Sequence, residues 1–404
     1  MLDIIKAIRH YNAEREPERL AMKYQRLRSD PFIFMRGTCH LFYERLPDDR
    51  LFHRAPPVWS CGDLHIENFG SYKGDNRLVY FDINDFDEAA LAPASWDLVR
   101  LLSSILMAAD TLDIKRSQAL KLVKLAIEAY SHALAEGKAR WSERDTAQGL
   151  LRERLNKLKE RSREDLLDKH TELKRQRRKL RTDGQQALPA NEAQVAEVTE
   201  FIDRFATRQP DPDFFKVLDV ARRVAGTGSL GLARYTILIK GKGAPDKHYL
   251  LDLKQAPASS LVPHLTVDQP KWTSQAQRIV TLQQRMQAVP MAFLHPIVKR
   301  KTSYVLRGLQ PSEDRIDLGA PDVSVSELEG AVQDMARMTA WAHLRSAGRQ
   351  GSALADDLVE FGQSRKKWQA ELYSAAQHGA RQVHADWRAY CEACDSGLFD
   401  TEPQ

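Results

Sequence analysis

The stretch Cys61-Gly-Asp63-Leu-His65-Ile-Glu67-Asn68 sets an aspartate and an asparagine five positions apart. In phosphoryl transfer one carboxylate accepts or orients the acceptor hydroxyl, while an amide oxygen and a second carboxylate hold magnesium on the phosphates. Asp63 and Asn68 have the D-x-x-x-x-N spacing of a phosphotransferase catalytic loop. The second carboxylate is expected after the next strand, and Leu78-Val-Tyr-Phe-Asp82-Ile-Asn-Asp85-Phe-Asp87 ends an apolar run in three aspartates. Asp63, Asp82, Asp85, Asp87 and Glu88 would repel one another if they sat together without a cation, so a metal site is expected. His65 could assist the hydrogen bonding of the loop, with a structural histidine as the competing reading. The bland alternative makes these aspartates caps of turns at Gly62-Asp63 and Gly74-Asp75-Asn76. Turn chemistry, however, does not require three carboxylates at the end of one strand.

A second constellation is Gly226-Thr227-Gly228-Ser229-Leu-Gly231, followed by a strand and then by Lys254 near the end of the next strand. Glycines let a backbone approach phosphates closely, and a lysine from an adjoining strand can neutralise them. No helix follows the glycines, which argues against a dinucleotide-binding turn and for a flap between two antiparallel strands. An ordinary hairpin is the alternative. The usual carboxylate partner of such a lysine is missing, because the next helix offers Gln277, Gln283, Gln284 and Gln287. Its anchor is then a glutamine, Asp252 or an aspartate of the first cluster.

The elements that must position these residues follow from periodicity. Residues 1–50 read as helices. Alternation around Gly74-Asp75-Asn76 predicts a β-hairpin, and helical spacing resumes from Ser95, a candidate N-cap. A charged helical stretch runs to about Arg181, with a break at Thr182-Asp-Gly184 and Leu188-Pro-Ala-Asn191. Tyr235–Ile239 and Tyr249–Leu253 read as strands joined by Gly241–Pro245. A helix capped near Thr273 carries Ile279, Leu282 and Met286 on one face; a strand pair then spans 290–307, and long helices cover about 325–347 and 356–392. The expected organisation is α+β: a catalytic-loop and metal-site half at 1–136, a charged helical insertion at 137–210, a β-rich nucleotide-cradling region at 211–320, and C-terminal helices at 321–404.

Composition bounds the rest. The net charge of +5 is modest, yet residues 138–181 hold 16 Lys and Arg against 8 Asp and Glu. That segment could touch nucleic acid, an anionic membrane or an acidic partner, although mixed-sign runs are usually solvated faces. Nucleic-acid binding through Lys174–Lys179 ranks last because the run lacks interleaved aromatics. The apolar stretch 98–110 is interrupted by Arg100 and falls short of the roughly 20 residues that span a bilayer. No export signal is recognisable at the start, and Cys39, Cys61, Cys391 and Cys394 suit a reducing compartment, so a cytoplasmic location is expected. Cys391-Glu-Ala-Cys394 has metal or redox spacing but no second pair, and reads as fortuitous.

With these motifs in view, the chain resembles the bacterial family known as domain of unknown function 2252. The likeness rests on Phe32-x-Phe-x-Arg36-Gly-Thr38, Cys61-Gly-Asp-x-His-x-Glu-Asn-Phe-Gly70, Phe81-Asp-Ile-Asn-Asp-Phe-Asp-Glu88, Trp96-Asp-Leu98, Arg223-Val-Ala-Gly-Thr-Gly-Ser-x-Gly231 and Gln277-Arg278 before Gln284-Arg285. That family is distantly similar to aminoglycoside phosphotransferases and choline kinases. The similarity implies a two-lobed, protein-kinase-like fold using ATP and magnesium. Asp63 would be the base, Asn68 with Asp82 or Asp85 the magnesium ligands, and Asp97 a buried brace of the loop. Arg36 and Arg223 have no assigned counterpart. Because Asp63 precedes the glycines, the lobe order would be permuted, and the chain after Ser346 should pack near the entry of the Arg36 to Asp63 segment. The implied activity is phosphoryl transfer to an unidentified hydroxyl on a small molecule or protein; AMP transfer and a non-catalytic nucleotide-binding pseudokinase are the alternatives.

Overall fold

A computed structural model describes residues 2–47, 50–159, 162–175, 177–299, 302–309 and 316–399. Five short helices open the chain: α1 (Ile4–Tyr11), α2 (Pro17–Ser29), α3 (Pro31–Gly37), α4 (Cys39–Glu44) and α5 (Arg50–Arg54). Asp3, Glu16 and Asp30 cap the first three through their carboxylates, and prolines begin α2 and α3, where a missing N–H costs nothing.

Next come β1 (Pro57–Ser60), a 3₁₀ turn (Ile66–Asn68), β2 (Phe69–Lys73), β3 (Val79–Ile83) and β4 (Ala90–Pro93). β1 pairs antiparallel with β4, and β2 with β3 in the register Gly70↔Asp82. The expected hairpin is present, closed from Gly74 N–H to the Leu78 carbonyl at 2.9 Å. Helix α6 (Ala94–Met107) follows directly and is buried on almost every side, Leu106 excepted. Ser95 is not its cap: the helix begins at Ala94, and the Ser95 hydroxyl bonds the Leu51 carbonyl instead.

The segment expected to be a helical insertion is mixed. After α7 (Arg116–Ala135) come β5 (Ser142–Glu143), α8 (Gly149–Lys159) and α9 (Arg163–His170), then a hairpin of β6 (Thr171–Lys174) and β7 (Arg177–Leu180). The basic run that looked like a solvated helix face is this hairpin, with Arg175 at positive φ in the turn. Alternate residues of β7 point inward, so Arg178 is buried between Asp168 and Asp246, each at 2.6 Å. The anticipated break at 188–191 is strand β8 (Ala187–Pro189) followed by α10 (Glu192–Ala206), whose N-cap is Asn191.

β8 edges a six-stranded antiparallel sheet with β9 (Val217–Arg223), β10 (Arg234–Ile239), β11 (Tyr249–Gln255), β12 (His295–Lys299) and β13 (Thr302–Gly308), in the order β12-β13-β11-β10-β9-β8. One sheet face and α10 enclose a core of their own through Val198, Phe201, Ile202, Ile237, Leu251 and Leu253. The other core is larger and helical. Helix α11 (Gln275–Met286) gives it Ile279, Leu282 and Met286, the face anticipated from spacing, and α12 (Val325–Ser346) packs there along α7. The long C-terminal helix is broken at Ser364–Trp368 into α13 (Ala355–Gln363) and α14 (Gln369–Asp395). Cys391 and Cys394 lie one turn apart on α14 as thiols rather than as a disulfide. Residues after Ser346 meet β1, inside the Arg36–Asp63 segment rather than at its start: Ala353 N–H donates to Pro57 O at 2.7 Å and Trp59 Nε1 to Arg349 O at 2.9 Å. No helix among the described residues is long and apolar enough to cross a membrane.

Candidate active site

The loop from β1 to β2 is held from below. The Asp97 carboxylate on α6 accepts from Ser60 Oγ (2.5 Å), Cys61 N (2.9 Å) and Gly62 N (2.9 Å). His343 Nε2 on α12 reaches it at 3.2 Å, while Tyr130 OH meets the other ring nitrogen at 2.9 Å. Gly62 has φ +85°, and a Cβ there would lie 2.3 Å from the Glu88 carbonyl oxygen, so only glycine lets the two backbones approach.

This fixes Asp63 against Arg100, whose Nε and Nη2 both donate to one carboxylate oxygen at 3.0 and 2.7 Å. Arg100 is wholly buried and also donates to Met35 O. Burial pushes the Asp63 carboxyl above its ordinary value, against the opposing pull of Arg100. Asn68 turns its amide N–H back to the Asp63 carbonyl. His65 is buried, accepts from Glu67 N at 3.2 Å and stands edge-on to Phe32. Arg36 pairs with Glu67 at 2.7 Å.

The neighbouring carboxylates do not form one repelling cluster, because each has its own donors. Asp82, at the end of β3, meets Arg345 Nη2 at 2.8 Å and backbone N–H groups of Ile83 and Ala288. Asp85 lies beyond the strand, 3.8 Å from Lys254 Nζ, and Asp87 contacts the same ammonium closely. Glu88 accepts from Ser260 and Tyr11. Burial alone would raise Asp85, but Lys254 and Arg307 outweigh it and lower its carboxyl. Repulsion among the aspartates therefore does not by itself require a metal: arginine and lysine side chains supply the cations. Among the described residues, no three His, Cys, Asp or Glu side chains converge as metal ligands.

The glycine turn joins β9 to β10, antiparallel neighbours, as the sequence suggested. Gly226 (φ +71°) and Gly231 (φ +86°) take backbone conformations that other residues rarely adopt. Arg15 Nη1 donates to the carbonyls of Gly228 and Leu230, each at 2.6 Å, and Lys23 Nζ to Gly228 O at 3.1 Å. The Ser229 hydroxyl closes onto Ala225 O. Lys254 on β11 is anchored by Asp87 and Asp85, one of the three partners considered for it. Asp252 is taken instead by Arg223, Arg234 and Arg307.

Asp63, His65, Asn68, Asp85, Gly226 to Ser229 and Lys254 line one cavity of about 60 Å³. An adjoining cavity of about 330 Å³ shares Asn68, Asp85 and Gly226. Asp82 and Gly231 line neither. The larger groove of about 730 Å³ lies elsewhere, beside β2 and Tyr249, and contains none of the sequence-nominated residues.

A magnesium ion fits the donors on this wall. The Asp85 carboxylate and the Asn68 amide are hard oxygen ligands, and Mg²⁺ is commonly held by one or two carboxylates together with phosphates. Asn84, also on the wall of the 330 Å³ cavity, has a buried side-chain oxygen without a hydrogen-bond partner. Asn84 escaped the reading of the sequence, as did Arg100, Arg345, Arg15 and Lys23. A signal existed for Arg100 alone: an arginine inside the longest apolar stretch needs a buried acid.

A profile of a bacterial protein family, described as "uncharacterized protein conserved in bacteria (DUF2252)", matches residues 15–393. No curated protein and no solved structure matches the chain.

Proposed function

The chain belongs to this family of uncharacterized bacterial proteins, and on that premise we propose that it is an ATP- and magnesium-dependent phosphotransferase acting on a hydroxyl acceptor. One observation carries the reading: Asp63, Asn68 and Asp85 share a cavity with Gly226–Ser229 and Lys254, although the two sets are far apart in the chain. A two-lobed, kinase-like arrangement in permuted order accounts for that meeting. The sheet would be the nucleotide-cradling lobe, and the chain leaving α12 beside β1 marks where an unpermuted chain would enter the Asp63 loop. The buried Asp97 matches the expected brace.

In this mechanism the acceptor oxygen bonds to the γ-phosphorus, the bridging P–O bond breaks, ADP leaves, and the Asp63 carboxylate takes the hydroxyl proton. Arg100 holds that carboxylate in place from the buried side. Asn68 and Asp85, with Asn84 beside them, would hold Mg²⁺, which supplies charge neutralisation on the phosphates when bound. Lys254 contributes a positive charge on the same wall. Elevation of the Asp63 carboxyl by burial makes it a better proton acceptor than an exposed aspartate.

The test is incubation with magnesium, a bacterial extract and ATP labelled in the γ-phosphate, with wild type against Asp63→Asn. Asp63-dependent labelling of an acceptor is expected. Label arriving only from the α-phosphate identifies AMP transfer instead, and no Asp63-dependent label from either position overturns both readings.

A further inference from the structure

The cavity of about 330 Å³ beside Asp85 has walls of unusual charge. Its inner end is the cluster around Asp252, a carboxylate with no exposed surface. Arg234 grips it with two bonds, Nε to Oδ1 at 2.9 Å and Nη2 to Oδ2 at 2.7 Å. Arg307 Nε and Arg223 Nη1 each lie 3.2 Å from Oδ2. One acid thus faces three guanidiniums on the paired strands β9, β10, β11 and β13. Asp85 is the other carboxylate of this part of the wall, so Arg223, Arg234 and Arg307 meet two carboxylates, Asp252 and Asp85.

The rim adds to the excess. Arg181, Lys169 and Arg26 also line it, Arg181 with its Nε donating to the Thr171 carbonyl at 2.9 Å. The acids there are engaged: Glu67 pairs with Arg36, and Asp183 accepts the backbone N–H groups of Gln185, Gln186 and Ala187. Buried like charges in a confined space attract a counter-charge strongly, because low-dielectric walls focus the field. Guanidiniums select planar or tetrahedral oxyanions through paired N–H donors. Burial draws Arg223 down to about 10 and His170 down to about 4, as expected where cations crowd.

We infer that this cavity is a polyanion subsite that takes a phosphate-bearing group through Arg307, Arg223 and Arg181. It rests on the phosphotransferase reading for its setting beside Asn68 and Asp85, but binding there does not require turnover. Two sources share this chemistry: the phosphate chain of the nucleotide, and a phosphate ester on the acceptor.

Calorimetric titration of the full chain with inorganic tripolyphosphate, at fixed ionic strength and without nucleotide, tests it. Saturable binding is expected in wild type and in Asp63→Asn with affinities within about twofold. Arg181→Gln is expected to weaken it about tenfold, as is Arg307→Gln. Arg181 is exposed and carries the test if Arg307→Gln fails to fold. Competition between tripolyphosphate and a non-hydrolysable ATP analogue assigns the subsite to the nucleotide's phosphates; simultaneous binding assigns it to a phosphorylated acceptor. Absence of saturable binding, or equal binding by wild type and Arg181→Gln, overturns the inference. Asp63-dependent transfer measured alongside keeps the proposed activity separate, since it survives or fails independently of that result.

Discussion

The stretch Cys61–Glu88 and the sheet strands Val217–Gln255 manage buried charge in opposite ways. In the first, acids outnumber bases, and four of the aspartates borrow a cation from another element: Asp63 from α6, Asp82 from α12, Asp85 and Asp87 from β11. In the second, bases outnumber acids, and Arg223 and Arg234, joined by Arg307 of β13, share Asp252. Lys254 is the link between the two surpluses. Neither half is electrostatically complete alone, which is why both must face one cleft.

The largest expected effect comes from the acidic half. Asp63→Asn keeps the size and part of the hydrogen bonding of the side chain but removes the proton acceptor, so transfer should fall by about 10³-fold, within the usual range for a general base. Steady-state rates with ATP affinity measured in parallel would check it; a loss of affinity with an unchanged rate would assign Asp63 to binding.

The basic half should respond in stability. Asp252→Asn leaves three buried guanidiniums without a carboxylate and should cost about 3–5 kcal/mol, read from denaturant midpoints. Burial works against ionisation of Asp252, but the three arginines prevail and hold its carboxyl well below the ordinary 3.8. A depressed carboxyl binds fewer protons folded than unfolded, so its contribution is present above about pH 3.8 and fades as pH falls through the folded value. Wild type should lose stability over that acid range more steeply than Asp252→Asn.

A smaller effect separates two aspartates three positions apart. Asp85→Asn should raise the magnesium needed for half-maximal activity about tenfold, because it removes the charged ligand on the cavity wall. Asp82→Asn should leave the magnesium requirement unchanged. Its cost is about 1–2 kcal/mol of stability, through the weakened contact with Arg345. A magnesium titration giving the opposite ranking would return Asp82 to the site.

The two aspartates also mark where the sequence stopped being informative. Spacing placed Asp63 with Asn68, and periodicity found both hairpins, the glycine turn between antiparallel strands and the buried face of α11. These are local patterns with a fixed geometric period. Spacing did not decide between Asp82 and Asp85, yet Asp82 lies within β3 and turns to Arg345, while Asp85 sits in the loop beyond it. The partners that tell the two apart stand at positions 254 and 345, and long-range pairings leave no trace in local spacing. The basic run at 174–179 was misread for a related reason: composition suggested a solvated helix, but Arg178 is buried by acids at 168 and 246. The metal expectation failed as an argument from repulsion because it counted acids without the distant bases that neutralise them.

The Asp97 brace carries a consequence for the order in which the chain can acquire its cleft. The carboxylate gathers the loop at 60–62 and also His343, which itself leans on Tyr130. On a ribosome the acidic loop would emerge long before position 343 is made, and until then the network behind it lacks its last member. The loop can form early but cannot be locked until α12 docks, so the newly made protein stays without a shaped cleft until most of its length exists.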